Sequence, residues 1–185
     1  MIMAGGAGTR LWPVSRTDRP KQLVPLIGGR SLLEVASDRL DGVVETDRRW
    51  ICTGERFREQ VRATIPGIDD DRILGEPCGR DTLNAVGLTA AVIAREDPDA
   101  IFAVLTADHV IEPQQTFAER LDAGFELVEA DPNRFVTFSI RPTRPAIEYG
   151  YVERGAEIAN APGCFEAVRF VEKPDRETAE AYLET

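Results

Sequence analysis

At 185 residues, with 43% hydrophobic side chains and a formal net charge of −10, the chain is long enough to bury one good core and falls in the size range of a single domain. That charge balance argues against a general nucleic-acid-binding surface, which needs a clustered basic face. No apolar run approaches the roughly 20 residues that span a bilayer, no signal-peptide pattern opens the chain, and Cys52, Cys78 and Cys164 lack C-x-x-C spacing, so no membrane partner, disulfide framework or zinc site is expected and a reducing cytoplasm is the default.

Taken in chain order, short β-rich runs alternate with helical stretches, the pattern of a mostly parallel α/β sheet with helices on both faces. Met1 to Met3 reads as a three-residue strand that opens straight into the loop Ala4-Gly5-Gly6-Ala7-Gly8-Thr9-Arg10-Leu11-Trp12-Pro13. Ser31-Leu32-Leu33-Glu34 has capping-box spacing and predicts a helix to about Leu40. Strands are expected at Arg49 to Cys52 and Arg72 to Gly75, with a helix from Glu55 to Ala63 between them. Asp81 is the expected N-cap of an Ala-rich helix through Ala94, apolar on nearly all faces and therefore expected to be well buried. The continuous apolar run Ile101 to Leu105 predicts a central strand covered on both faces. A helix from Gln114 to Glu129 and a strand from Phe135 to Ile140 follow. Beyond a Pro- and Gly-containing stretch, short strands are expected at Tyr151 to Glu153 and Phe165 to Glu172, then a helix from Arg176 to Leu183. The short first strand and the helix at the other end suggest a piece of something longer.

The glycine loop carries the chemistry. Three glycines within four positions let the backbone enter φ > 0 conformations and present N–H groups to a bulky anion. Arg10 adds a fork of donors suited to phosphate, and Lys21, in Pro20-Lys21-Gln22, adds a compact ammonium. Of 22 basic residues only Lys21 and Lys173 are lysine; a phosphoryl group that only a point charge can approach is one explanation, chance placement the other. Residues 1–30 carry a net charge of +4 within a chain of −10, so basic charge sits with the loop and would focus a small polyanion. Asp108 follows the apolar run, and in an open parallel sheet both it and the glycine loop should face one crevice. There it is a hard oxygen ligand for Mg²⁺, which accepts one or two carboxylates plus substrate phosphates; a loop cap is the alternative. His109, the only histidine, belongs to no nucleophile-His-acid set and is not read as a base. An attacking phosphate oxygen is already anionic and needs positioning and charge neutralisation instead. The loop matches neither G-x-x-x-x-G-K-[ST] nor G-x-G-x-x-G, which argues against P-loop and dinucleotide-dehydrogenase readings.

Taken together, Gly5 to Pro13, Ser15-Arg16 and Pro20-Lys21-Gln22 resemble the sugar-1-phosphate nucleotidyltransferases, and among them the mannose-1-phosphate guanylyltransferases. The resemblance continues through Glu76-Pro77-Cys78-Gly79-Arg80-Asp81-Thr82, Leu105-Thr106-Ala107-Asp108-His109, Glu148-Tyr149-Gly150-Tyr151-Val152 and Phe170-Val171-Glu172-Lys173-Pro174. It implies a Rossmann-like nucleotidyltransferase fold and the reaction of GTP with mannose 1-phosphate to give GDP-mannose and pyrophosphate. It also implies site roles. Ala4, Gly5, Gly6, Ala7, Gly8, Thr9 and Arg10 would hold the triphosphate, Arg10, Lys21 and Asp108 would act at the reacting phosphates, and Asp108 would bind Mg²⁺. Glu76, Arg80 and Thr82 would lie by the base, and Gly150, Glu172 and Lys173 would contact the sugar phosphate.

The chain departs from the family pattern at Asp81-Thr82-Leu83, where Asn-Thr-Ala is common, at Thr106, where Pro is common, and at Glu148, where a small residue is common. The first departure bears on base recognition. The resemblance further places a Trp-Asn-Ser-Gly segment and a second metal-binding Asp just beyond residue 185, so the chain reads as one catalytic domain, residues 1–185, lacking the distal sugar-binding part. Transfer to another base or sugar phosphate, and nucleotide binding without turnover, stay open, as does a homo-oligomer. On this reading the chain alone binds GTP with Mg²⁺ and forms little GDP-mannose; rapid pyrophosphate release by the 185-residue chain would overturn it.

Overall fold

In the computed structural model, which describes residues 1–6, 11–79 and 81–183, the apolar start of the chain forms β1 (Ile2–Met3), hydrogen-bonded on both sides to parallel strands. The described residues fall into two compact units, Met1–Phe125 and Glu126–Thr185. In the first, a small hairpin of β2 (Pro25–Ile27) and β3 (Arg30–Ser31) leads to α1 (Leu32–Asp38). Then come β4 (Ile51–Gly54), α2 (Arg58–Thr64), β5 (Ile73–Glu76), α3 (Asp81–Glu96), β6 (Leu105–Thr106) and α4 (Gln114–Ala130), whose residues from Glu126 belong to the second unit. The strand order is β5-β4-β1-β6, all parallel. The chain steps outward from β1 to β4 and β5, then returns to the opposite side of β1.

Strand periodicity sorts the side chains onto two faces. Ile2, Ile51 and Ile73 join Leu33 and Ala36 of α1, Val61 of α2 and Leu121 of α4 in one buried cluster. Met1, Trp50 and Cys52 pack on the other face against Ala85 and Ile93 of α3. Burying both faces is what lets such short parallel strands persist. The helix α1 starts where its capping box predicts: the Glu34 N–H donates to Ser31 Oγ at 3.1 Å and the Ser31 N–H to Glu34 Oε2 at 2.6 Å.

Four expectations fail, three of them for a tertiary reason. The run Ile101 to Leu105 enters the sheet only at its end: β6 begins at Leu105 in register Ile2↔Leu105, the Ala103 carbonyl accepts from the Met1 nitrogen at 2.8 Å, and β6 stands at the edge of the sheet among the described residues; Val104 is exposed. The helix α3 buries a single stripe, Ala85, Thr89 and Ile93, at i, i+4 and i+8, while Leu83 is 81% exposed. Asp81, expected as its cap, is its first residue at φ 63°, a left-handed conformation that Asp tolerates. Phe135 to Ile140 forms no strand: no ladder partner is present for it among the described residues, Phe135 and Ile140 stand exposed, and β propensity without pairing is insufficient.

The second unit is an antiparallel hairpin of β7 (Tyr151–Glu157) and β8 (Phe165–Val171), in register Tyr151↔Val171, followed by α5 (Arg176–Ala181). Asp175 caps α5 by accepting from the Thr178 N–H at 2.8 Å. Among the described residues no helix is long and apolar enough to cross a membrane.

Ser31→Ala removes one half of the capping box and is expected to cost about 1 kcal/mol, read as a lowered urea midpoint with unchanged m-value. The Glu34 carboxyl is held below its ordinary value, first by the Ser31 N–H and then by its hydroxyl. Its contribution to stability is therefore present above the unfolded-state pKa, about 4.3, and fades as pH falls through the lower folded value; Glu34→Gln should flatten that acid limb.

Candidate functional site

Strand order fixes where a ligand can bind. The chain leaves β1 toward β4 and comes back to β6, so β1 and β6 flank the reversal in strand order, and the crevice outside their carboxyl ends is the position that open parallel sheets use for ligands. The glycine loop leaves β1 there, and Thr106-Ala107-Asp108 leaves β6.

Within the loop, Ala4 closes β1: its N–H donates to the Cys52 carbonyl at 2.8 Å, its carbonyl accepts from Thr53 Oγ1 at 3.3 Å, and its methyl group is buried. Its backbone is committed to the sheet. Gly6 has φ 103°, which a side chain would strain, and it gives the turn that starts the loop. A Cβ on Gly5 would stand 3.6 Å from Glu76 Oε2, so the Glu76 carboxylate, at the end of β5, lies beside the start of the loop. Burial raises the Glu76 carboxyl above its ordinary value. The neighbouring Cys52 thiol is pushed up to about 11 by burial and then by the Glu76 charge. Ala7, Gly8, Thr9, Arg10 and Arg80 lie outside the described residues. Thr82 is exposed in the first turn of α3.

A residue to which sequence reasoning gave no role holds the loop. Pro20 leads into a 3₁₀ turn, Lys21–Leu23, that buries Gln22 to 3% exposure. The Gln22 Nε2 donates to the Gly5 carbonyl, 17 positions earlier. The signal was its place directly after Lys21, but only the fold shows a buried amide reaching back to the loop.

The same turn presents Lys21, whose Nζ donates to Asp108 Oδ2. This ion pair joins the two segments at the crevice, 87 positions apart in sequence. Both side chains are partly exposed, Lys21 at 22% and Asp108 at 35%, so a ligand can reach them. Burial raises the Asp108 carboxyl, but the hydrogen bond and charge of Lys21, with Thr106 and then His109 adding to them, more than offset it, and the carboxyl ends below its ordinary value. His109 is exposed, with Nε2 3.9 Å from Asp108 Oδ1.

The donor set fits a hard cation held largely by substrate. Among the described residues no three His, Cys, Asp or Glu converge, and Asp108 is the single carboxylate at the Lys21 turn. Lys21 takes Oδ2 and leaves Oδ1 as a ligand atom. Mg²⁺ tolerates one protein carboxylate when phosphates and water complete its octahedron.

In the second unit Gly150, Glu172 and Lys173 come together at one end of the hairpin. A Cβ on Gly150 would stand 2.3 Å from Phe170 Cζ and 3.1 Å from Glu172 Oε2, so a larger residue there would have to push the exposed Phe170 ring aside. Lys173 Nζ lies 3.2 Å from Glu172 Oε1, with its backbone at φ 45°. A carboxylate that accepts from hydroxyl groups beside an ammonium that faces an anion is suitable chemistry for a sugar phosphate.

The family model for nucleotidyl transferases matches residues 1–185. A mannose-1-phosphate guanylyltransferase of Klebsiella pneumoniae is 41% identical over 187 residues, covering 99% of this chain and 39% of that protein. One of Escherichia coli gives the same identity and coverage. Among solved structures, a Thermus thermophilus protein described as a mannose-1-phosphate geranyltransferase superposes with a TM-score of 0.84 at 37% identity, covering 99% of this chain and 52% of that one. The chain thus spans 39% of the length of the curated relatives it matches.

Lys21→Met removes the hydrogen bond and charge that oppose burial at Asp108, so its carboxyl pKa should rise. A carboxyl titration by NMR reads this directly, and an unmoved Asp108 would show that the ion pair is not formed in solution. Gly150→Ala should displace the exposed Phe170 ring at little cost in stability, read as shifted Phe170 resonances at nearly unchanged melting temperature.

Proposed function

Because this chain belongs to the nucleotidyl transferase family, we propose that it transfers a guanylyl group from GTP to mannose 1-phosphate, giving GDP-mannose and pyrophosphate. The observation that carries this reading is the Lys21–Asp108 ion pair at the reversal of strand order, beside a loop that begins with a left-handed glycine. A cradle of backbone N–H groups suits a triphosphate; Arg10, from the same loop, supplies a bidentate donor fork.

The phosphate oxygen of mannose 1-phosphate attacks the α-phosphorus of GTP in line, the bond to the β-phosphate oxygen breaks, and pyrophosphate leaves. The attacking oxygen is already anionic, so no side chain has to remove a proton from it. Lys21 neutralises charge that develops at the reacting phosphates, and Asp108 is the residue that would hold Mg²⁺. When bound, that ion supplies further charge neutralisation across the phosphates. Glu76, with Arg80 and Thr82, is assigned to the base, where a carboxylate accepts from the guanine N1–H and N2–H₂ donors. Gly150, Glu172 and Lys173 are assigned to mannose 1-phosphate, Glu172 accepting from sugar hydroxyls and Lys173 facing the phosphate.

Equilibrium competition in Mg²⁺ should rank GTP at least about tenfold ahead of UTP, CTP, dTTP and ATP, since a mismatched polar edge leaves buried groups unpaired. Equal affinities would remove the guanylyl assignment. Lys21→Arg keeps the charge but not the compact ammonium, and should slow pyrophosphate release relative to the parent chain by roughly ten- to a hundredfold at unchanged melting temperature. Unchanged kinetics would take Lys21 out of the reaction.

A further inference from the structure

Behind the crevice, Arg39 follows the last residue of α1 and is 7% exposed. Its guanidinium donates through Nη2 to the backbone carbonyl of His109 at 2.7 Å and lies 5.5 Å from the centre of the Phe117 ring. Gln114 Nε2 donates in return to the backbone carbonyl of Arg39. Residue 39 therefore grips both ends of the segment 109–114, once through its side chain and once through its backbone, across 70 and 75 positions of sequence. That segment begins at the residue directly after Asp108.

A buried guanidinium is a costly filler. Burial pulls its pKa below the ordinary value, and among the described residues no ion pair to a carboxylate compensates it. Apolar side chains of similar volume are commonly as stable or more stable at such positions. What an apolar side chain lacks is a donor for the His109 carbonyl. We propose that Arg39 is a positioning residue: by fixing the main chain at His109 it sets where the Asp108 carboxylate stands relative to Lys21 and to an incoming metal–nucleotide. The inference rests on the reading that Asp108 serves that ligand, and it adds a residue that touches neither substrate nor metal.

Arg39→Met keeps the volume and removes the donor; Arg39→Lys restores one. Hydrogen exchange on the ligand-free whole chain is the first readout. Amides of residues 107–112 should exchange about tenfold faster in Arg39→Met, with other core amides unchanged and partial recovery in Arg39→Lys. Calorimetric titration with Mg²⁺ and GTP is the second, and Arg39→Met should bind about tenfold more weakly. Parent-like exchange at residues 107–112, or a uniform rise over the whole core, would make Arg39 a packing residue and overturn the inference. Asp108→Asn tests the reading beneath it. Unchanged affinity in that variant sinks the reading and the inference together, whereas weakened Asp108→Asn beside unaltered Arg39→Met sinks the inference alone.

Discussion

The contact between the Lys21 ammonium and the Asp108 carboxylate is the one on which the site depends. It connects the turn that follows the glycine loop to the end of β6, and each partner is delivered by a different part of the chain. An exposed ion pair contributes little to stability, so its value here lies in where it holds two charges. Positive and negative groups kept in contact before substrate arrives are already organised for a ligand that carries both signs, a polyphosphate with its cation. Such preorganisation is what an electrostatic mechanism requires, because groups that must reorient during the reaction lose most of their effect.

The sheet makes that contact available. With β1 only two residues long, pairing alone could not fix its end; the buried clusters on both faces do so, Ile2 on one side and Met1 on the other. Side-chain clamps then set the loops. Gln22 reaches back to the Gly5 carbonyl, Thr53 holds Ala4, and Arg39 holds His109. Each is a buried or half-buried polar group bonded to a backbone carbonyl near the crevice. Irregular backbone of this kind needs partners for its polar groups, and here the partners come from outside the segment they steady.

The hairpin of the second unit solves a different problem with a different device. Gly150 leaves room that Phe170 and Glu172 occupy, so absence of a side chain shapes the surface there. In the glycine loop, by contrast, Gly6 is needed for its positive φ. The two glycines would fail differently on substitution, one by collision and one by backbone strain.

The sequence by itself determined what local physics decides. Capping at Ser31 and Glu34, the alternation of strands and helices, and the backbone freedom at the start of the glycine loop are written in short stretches, because a cap, a period and a backbone freedom each need only a few neighbours. The mostly parallel sheet followed from the α/β pattern, and with it the expectation that Asp108 and the loop share a crevice. Tertiary structure alone decided the rest. Ile101 to Leu105 look like a central strand until the sheet places β6 at its edge, beginning only at Leu105; α3 looks buried all round until the sheet covers one stripe; and Phe135 to Ile140 have strand composition without a ladder among the described residues. Gln22 and Arg39 were unreadable as clamps, since a hydrogen bond across 17 or 70 positions has no local signature. Pairing and burial are properties of two segments at once, and a sequence displays one segment at a time.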